Sequence, residues 1–78
     1  MKQVKVLGPG CTRCKAAEDI VKSEAARLGI AIDLEKITDF EAIAGFGIVS
    51  TPGIVIDGKV VHAGGLPKAT DVAKWLAA

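Results

Sequence analysis

The chain has 78 residues, half of them apolar, and its ten Lys and Arg against nine Asp and Glu leave a formal net charge of +1. That length closes one modest core, so residues 1–78 are expected to form one domain. The near-neutral balance argues against a nucleic-acid or anionic-membrane partner, and no apolar run approaches the roughly 18 residues that span a bilayer.

The opening segment, Met1 to Val6, also lacks the apolar region and cleavage site of a signal peptide, which leads us to expect a cytoplasmic location. Phe and Trp total three residues and Tyr is absent, so the core must be built from Val, Ile, Leu and Ala. Val4 and Val6 alternate with Gln3 and Lys5 and then meet Gly8-Pro9-Gly10, the pattern of a strand ending in a tight loop. Next comes Cys11-Thr12-Arg13-Cys14. From Cys14 to Leu28 the apolar positions Ala17, Ile20, Val21, Ala25 and Leu28 recur at helical spacing, with Lys15, Glu18, Lys22 and Arg27 placed mostly off that stripe, and Gly29 supplies a C-terminal stop.

Ile30, Ile32 and Leu34 alternate with Ala31, Asp33 and Glu35, which predicts a second strand. Thr38-Asp39-Phe40-Glu41 fits a capping box and predicts a short helix to about Ala44, ended by Gly45-Phe46-Gly47. After Thr51-Pro52, the runs Ile54 to Ile56 and Lys59 to His62 flank Asp57-Gly58, a dipeptide suited to the positive φ values of a type I′ hairpin turn. Gly64-Gly65 breaks the last strand, Pro67 suits a first helical position, and Ala69, Val72, Ala73 and Leu76 mark a final amphipathic helix.

The order is β-α-β-α-β-β-α. Its first two strands, joined through a helix, should be parallel with a right-handed crossover, and its last two antiparallel. An α/β fold with a four-stranded mixed sheet, covered by helices on both faces, buries the three apolar stripes most simply.

Two cysteines separated by two residues close too short a loop for a bridge to add much stability, so their use is reactive or metal-binding rather than structural. A cysteine at the start of a helix faces unpaired amides and the positive end of the helix dipole, both of which stabilise a thiolate. Cys11 is therefore the expected nucleophile and Cys14 the resolving thiol. Arg13 and Lys15 are candidates for tuning the thiolate by added positive charge, with exposed helix surface as the equally simple alternative. Gly8 and Gly10 leave room for a partner chain beside the sulfur. No separate cofactor is expected, since the Cys11–Cys14 disulfide is itself the redox centre, and no metal site is expected.

These residues resemble the thioredoxin and glutaredoxin superfamily, in particular its short branch of glutaredoxin-like thioredoxins described as redox-active disulfide proteins. The resemblance rests on the strand-Gly-Pro-Gly-Cys-Thr-Arg-Cys-helix start, on Thr51-Pro52-Gly53 before a hairpin, and on Gly64-Gly65 before the last helix. It implies the thioredoxin fold and thiol-disulfide oxidoreductase activity in electron transport. The expected partners are a protein or small-molecule disulfide and a thiol reductant or reductase, with the chain acting as a monomer. It also implies a cis bond before Pro52, with Thr51 and Pro52 binding substrate. Gly64 and Gly65 become possible glutathione contacts, although turn formation alone explains them. Thr12-Arg13 matches neither the Gly-Pro of thioredoxins nor the Pro-Tyr of glutaredoxins, which leaves the reduction potential open.

Two other classes share the motif. Copper chaperones place a C-x-x-C before a helix, and soft thiolates suit Cu(I), but those carriers resemble β-α-β-β-α-β and give Pro52 no role. A non-enzymatic redox sensor would use the same dithiol without turnover. His62 reads as a polar strand end rather than a metal ligand, Trp75 as a packing residue, and Asp33, Glu35, Asp39 and Glu41 as solvated or capping groups without a chemical role.

Overall fold

The computed structural model describes residues 2–8, 12–48 and 50–78. The elements follow the predicted order: β1 (Lys2–Leu7), α1 (Thr12–Leu28), β2 (Ile32–Ile37), α2 (Phe40–Gly45), β3 (Gly53–Ile56), β4 (Lys59–Ala63) and α3 (Ala69–Ala77). They build one sheet in the order β2-β1-β3-β4. β1 runs parallel to β2 and antiparallel to β3, and β3 is antiparallel to β4.

The two central strands are the most apolar. Every residue of β3 is buried, as are Val4, Val6 and Leu7 of β1. Their alternation sends Val4, Ile54 and Ile56 to one face, where they meet Val21 and Ala25 of α1 and Val72 and Leu76 of α3. Leu7 and Val55 point to the other face and pack with Ile43 of α2 and with Ile48. Helices thus cover both faces, α1 and α3 together on one and the short α2 on the other.

Helix α1 ends as its Gly29 predicts. Gly29 takes φ +69, and the amides of Gly29 and Ile30 donate to the carbonyls of Ala26 and Ala25, the paired bonds of a Schellman cap. The hairpin turn also has the expected geometry, with Asp57 at φ 51 and Gly58 at φ 83. Asp57 does more than turn the chain. Its amide donates to the Gln3 carbonyl at 2.8 Å, its Oδ1 accepts from the Gln3 amide at 2.9 Å, and its Oδ2 lies 3.5 Å from Lys2 Nζ. The turn is therefore stitched to the first strand.

Three local expectations need correction. The start of α2 is not a Thr38 capping box: Asp39 is the N-cap, in extended conformation, and makes no side-chain cap bond. Its backbone carbonyl accepts from the Ile43 amide, so the first turn closes one residue later than the box requires. Likewise Pro67 lies outside α3, because Lys68, extended at φ −82 and ψ 140, is the N-cap and its carbonyl receives the amides of Asp71 and Val72. Finally, the β3–β4 ladder shifts register between Ile54 and Val55, pairing Ile54 with His62 but Val55 with Val60. Val61 is thus an extra residue, and the bulge turns His62 toward α3, where its ring stands 5.7 Å from that of Trp75.

Candidate active site

The site gathers where the C-terminal end of β1 meets the start of α1. The amide of Gly8 donates to the Ile37 carbonyl at 2.8 Å, continuing the β1–β2 pairing one residue beyond the strand. The first turn of α1 then places Cys14 directly against Gly8. A Cβ on Gly8 would overlap Cys14 Sγ, lie 3.0 Å from Cys14 Cβ, and stand 3.7 Å from Thr51 Cβ. Gly8 is therefore needed for close approach, but the space beside it is filled by Cys14, not left open for a partner chain. Cys11, Pro9 and Gly10 lie outside the described residues.

Thr51 and Pro52 reach the same place from the start of β3, whose Gly53 pairs with Leu7 at the end of β1. The Thr51–Pro52 peptide bond is cis, Pro52 is buried, and Thr51 is half-buried. The Pro52 carbonyl accepts from the Gly64 amide at 3.0 Å, which draws the glycine pair toward the proline. Gly64 and Gly65 have φ values of +83 and +77, a conformation that side chains rarely adopt. A Cβ on Gly64 would come within 2.9 Å of Ser50 Cβ. The Gly65 carbonyl pairs with His62 Nε2 at 2.9 Å. The glycine pair thus has a complete structural reason for being glycine, and His62 is committed to holding that turn. Among the described residues no three His, Cys, Asp or Glu side chains converge as metal ligands.

Arg13 and Lys15 are both exposed in the first turn of α1, a turn that carries no acidic residue. Placing two cations at the positive end of a helix opposes the dipole, so the local charge pattern favours an anion there. Of the two, Lys15 lines a pocket of about 110 Å³ with Cys14, and Arg13 does not.

That pocket also holds a residue the sequence reading passed over. Glu18 lies one helical turn beyond Cys14 on α1 and is only 7 % exposed, although it was expected on the wet face. Its carboxylate is bridged by Lys22 Nζ at 2.8 Å and by Lys36 Nζ of β2 at 3.5 Å. The hydrogen bond from Lys22, reinforced by the charges of Lys22 and Lys36, holds the Glu18 carboxyl below the usual carboxylate range against the opposing effect of its desolvation. Val6, Gly8, Lys36 and Thr38 complete the pocket lining. A signal was present: Lys36 occupies the position where the Ile32, Leu34 alternation calls for a third apolar side chain, which puts it on the α1 side of the sheet, within reach of Glu18.

A four-stranded mixed sheet with helices on both faces, a cysteine in the first turn of the helix after the first strand, and a cis-proline loop facing it together define a thioredoxin-type α/β fold. Comparison with known proteins agrees. A family profile described as a thioredoxin domain matches residues 2–77. A thioredoxin of Methanocaldococcus jannaschii is 32% identical over 76 residues, covering 97% of this chain and 87% of the relative. A thioredoxin of Methanothermobacter thermautotrophicus is 28% identical over 76 residues, covering 97% of this chain and 99% of the relative. The chain belongs to the thioredoxin-domain family. No helix among the described residues is long and apolar enough to cross a membrane.

Proposed function

We propose that the chain is a thiol-disulfide oxidoreductase whose working group is the Cys11–Cys14 dithiol, used without a further cofactor. The observation that carries this reading is the packing of Cys14 against Gly8 beside Thr51, with Cys11 the residue that immediately precedes α1. Cys11, as thiolate, attacks one sulfur of a substrate disulfide; a Cys11–substrate disulfide forms and the other substrate sulfur leaves as a thiolate. Cys14, having lost its proton, then attacks Cys11 Sγ. The Cys11–Cys14 disulfide forms, the second substrate thiolate departs, and the substrate has gained the two electrons that the dithiol lost.

The cation-rich first turn of α1, with Arg13 and Lys15 as the two tuning candidates, favours the Cys11 thiolate. Thr51 and Pro52 offer the surface on which a substrate chain would lie against the cysteines. A protein or small-molecule disulfide is the substrate class, and a thiol reductant or reductase in a cytoplasmic setting returns the dithiol to its reduced form. The two curated relatives bear the name thioredoxin, which supports a protein disulfide over a glutathione mixed disulfide.

The test is turnover. With a dithiol reductant in excess, the wild-type protein is expected to accelerate insulin disulfide reduction, and Cys11→Ser to abolish the acceleration. A wild-type protein that is inactive with several thiol reductants, yet binds Cu(I) stoichiometrically, would make it a soft-metal carrier instead.

A further inference from the structure

We propose that His62 is a positioning residue for the substrate: by bonding to the Gly65 carbonyl it fixes the glycine turn that brackets Thr51, and so favours disulfides carried on an extended chain over small free ones. The functional consequence rests on the dithiol reading above; the hydrogen-bonded relay stands on the geometry alone. Gly64 meets the chain on both sides of Thr51. Its amide donates to the Pro52 carbonyl at 3.0 Å, and a Cβ added to it would come within 2.9 Å of Ser50 Cβ, so Ser50 packs over the bare Cα. Thr51 in turn borders the point where Gly8 and Cys14 meet. The shape of the glycine turn therefore sets where Thr51 stands relative to Cys14.

By itself this turn is a poor support. Two successive glycines, at φ +83 and +77, have the most conformational freedom to lose on being ordered, and neither has a side chain to pack. Gly65 is exposed and Gly64 half-buried. His62 supplies the hold that the turn lacks. Its Nε2 lies 2.9 Å from the Gly65 carbonyl, and since a carbonyl only accepts, that nitrogen carries the hydrogen. The ring is steered there from two directions. The bulge at Val61 turns it toward α3, and the Trp75 ring stands 5.7 Å away at a tilt of 38°. The relay thus runs from Trp75 of α3 through His62 to the glycine turn, and from Gly64 to Pro52.

Such a hold has a use in substrate choice. An extended chain carrying a disulfide lies along Thr51 and Pro52, and a surface already in shape spares the cost of ordering it at binding. A small disulfide meets Cys11 without needing that surface. Short exposed turns open for little free energy, so one hydrogen bond is a large share of what keeps this one closed. Where only the closed form accepts the chain, the apparent affinity falls with the closed fraction. Loss of a neutral hydrogen bond at a half-exposed site corresponds to a factor of about 2–5.

His62→Phe keeps a ring beside Trp75 and removes the donor, whereas His62→Gln keeps an amide donor at similar reach. One readout needs no turnover. Hydrogen exchange of the Gly64 amide, followed by NMR, is expected to speed by about 2–5-fold in His62→Phe and to stay near the wild-type rate in His62→Gln. The other readout is substrate choice. With a dithiol reductant in excess, His62→Phe is expected to raise KM for insulin by the same factor at unchanged kcat, and to react with dithiobis(nitrobenzoic acid) at the wild-type rate. His62→Gln is expected to recover the insulin KM. General loosening of the fold would slow both disulfides and would not be recovered by a donor. Gly64 exchange or an insulin KM that stays at the wild-type value in His62→Phe, equal slowing of both disulfides, or a His62→Gln protein no better than His62→Phe would overturn the inference. Should His62→Phe fail to fold by circular dichroism, His62→Val, suited to a strand and without a donor, takes its place. A wild-type protein that reduces neither disulfide, with Gly64 exchange still faster in His62→Phe, would defeat the dithiol reading and leave the relay standing.

Discussion

Gly8→Ala probes the closest approach in the site. The new methyl group would overlap Cys14 Sγ, with Cys14 Cβ at 3.0 Å and Thr51 Cβ at 3.7 Å, so it is hemmed in from both sides. Gly8 is not among the residues with positive φ, and its amide bond to Ile37 is compatible with alanine. The penalty is therefore one of overpacking, about 1–3 kcal/mol. For a domain of this size each kcal/mol lowers the unfolding midpoint by about 4–8 °C, so a fall of roughly 5–20 °C is expected in a thermal melt followed by circular dichroism. If the sulfur yields by about 1 Å, resolution of a Cys11 mixed disulfide should slow by about 100-fold in a single-turnover assay quenched by acid and thiol alkylation. Gly45→Ala is the control. Nothing lies within 4 Å of a Cβ there, and its φ is not positive, so its stability should change by less than about 1 kcal/mol, in the favourable direction. A Gly8→Ala protein with the melting point and resolution rate of the wild type would show that Cys14 does not pack against Gly8.

Ile54 is fully buried at the centre of the sheet, against α1 and α3, and Ile54→Ala should lower stability by about 2–5 kcal/mol in urea unfolding. Asp57 gives a pH prediction. The Gln3 amide, with the Lys2 charge behind it, holds its carboxyl below the ordinary value, so its contribution to stability is present above the unfolded-state value, about 4, and is lost as pH falls through the lower folded-state value. Asp57→Asn should therefore flatten the acid limb of stability against pH, and an unchanged acid limb would count against the Gln3 contact. Gly58→Ala, at φ +83 in the hairpin turn, should destabilise by about 1 kcal/mol or somewhat more, measured in the same unfolding series.

The fold was legible where local chemistry and burial agree. Gly29 reads as a helix stop because only the left-handed conformation closes the paired bonds at Ala25 and Ala26. Asp57-Gly58 reads as a two-residue turn because both residues tolerate positive φ. The bulge at Val61 was hidden, since Val60, Val61 and His62 fit a regular strand, and the contacts that accompany it, Val61 on the core and His62 beside Trp75, come from other elements. Thr38 competes with Asp39 for the same N-cap, and spacing alone does not separate two good capping residues in sequence. Of the site, the cysteine pair and Thr51-Pro52 were legible as motifs. Glu18 was not, because a charged residue near an apolar stripe reads as solvated until its partner is known. One partner, Lys22, lies four residues along the same helix, but the other, Lys36, comes from a different element, and that pairing depends on the register of β1 with β2, where Val6 stands opposite Lys36.

The central claim is that Cys11 and Cys14 divide one exchange reaction between them, and intact-protein mass spectrometry tests it most directly. Reduced Cys14→Ser, mixed with a small aromatic disulfide, is expected to accumulate one covalent adduct, mapped by peptide analysis to Cys11. The wild type under the same conditions should show the mass of an internal disulfide and no lasting adduct. An adduct that persists on the wild type, or a Cys14→Ser protein that forms none, would contradict the account.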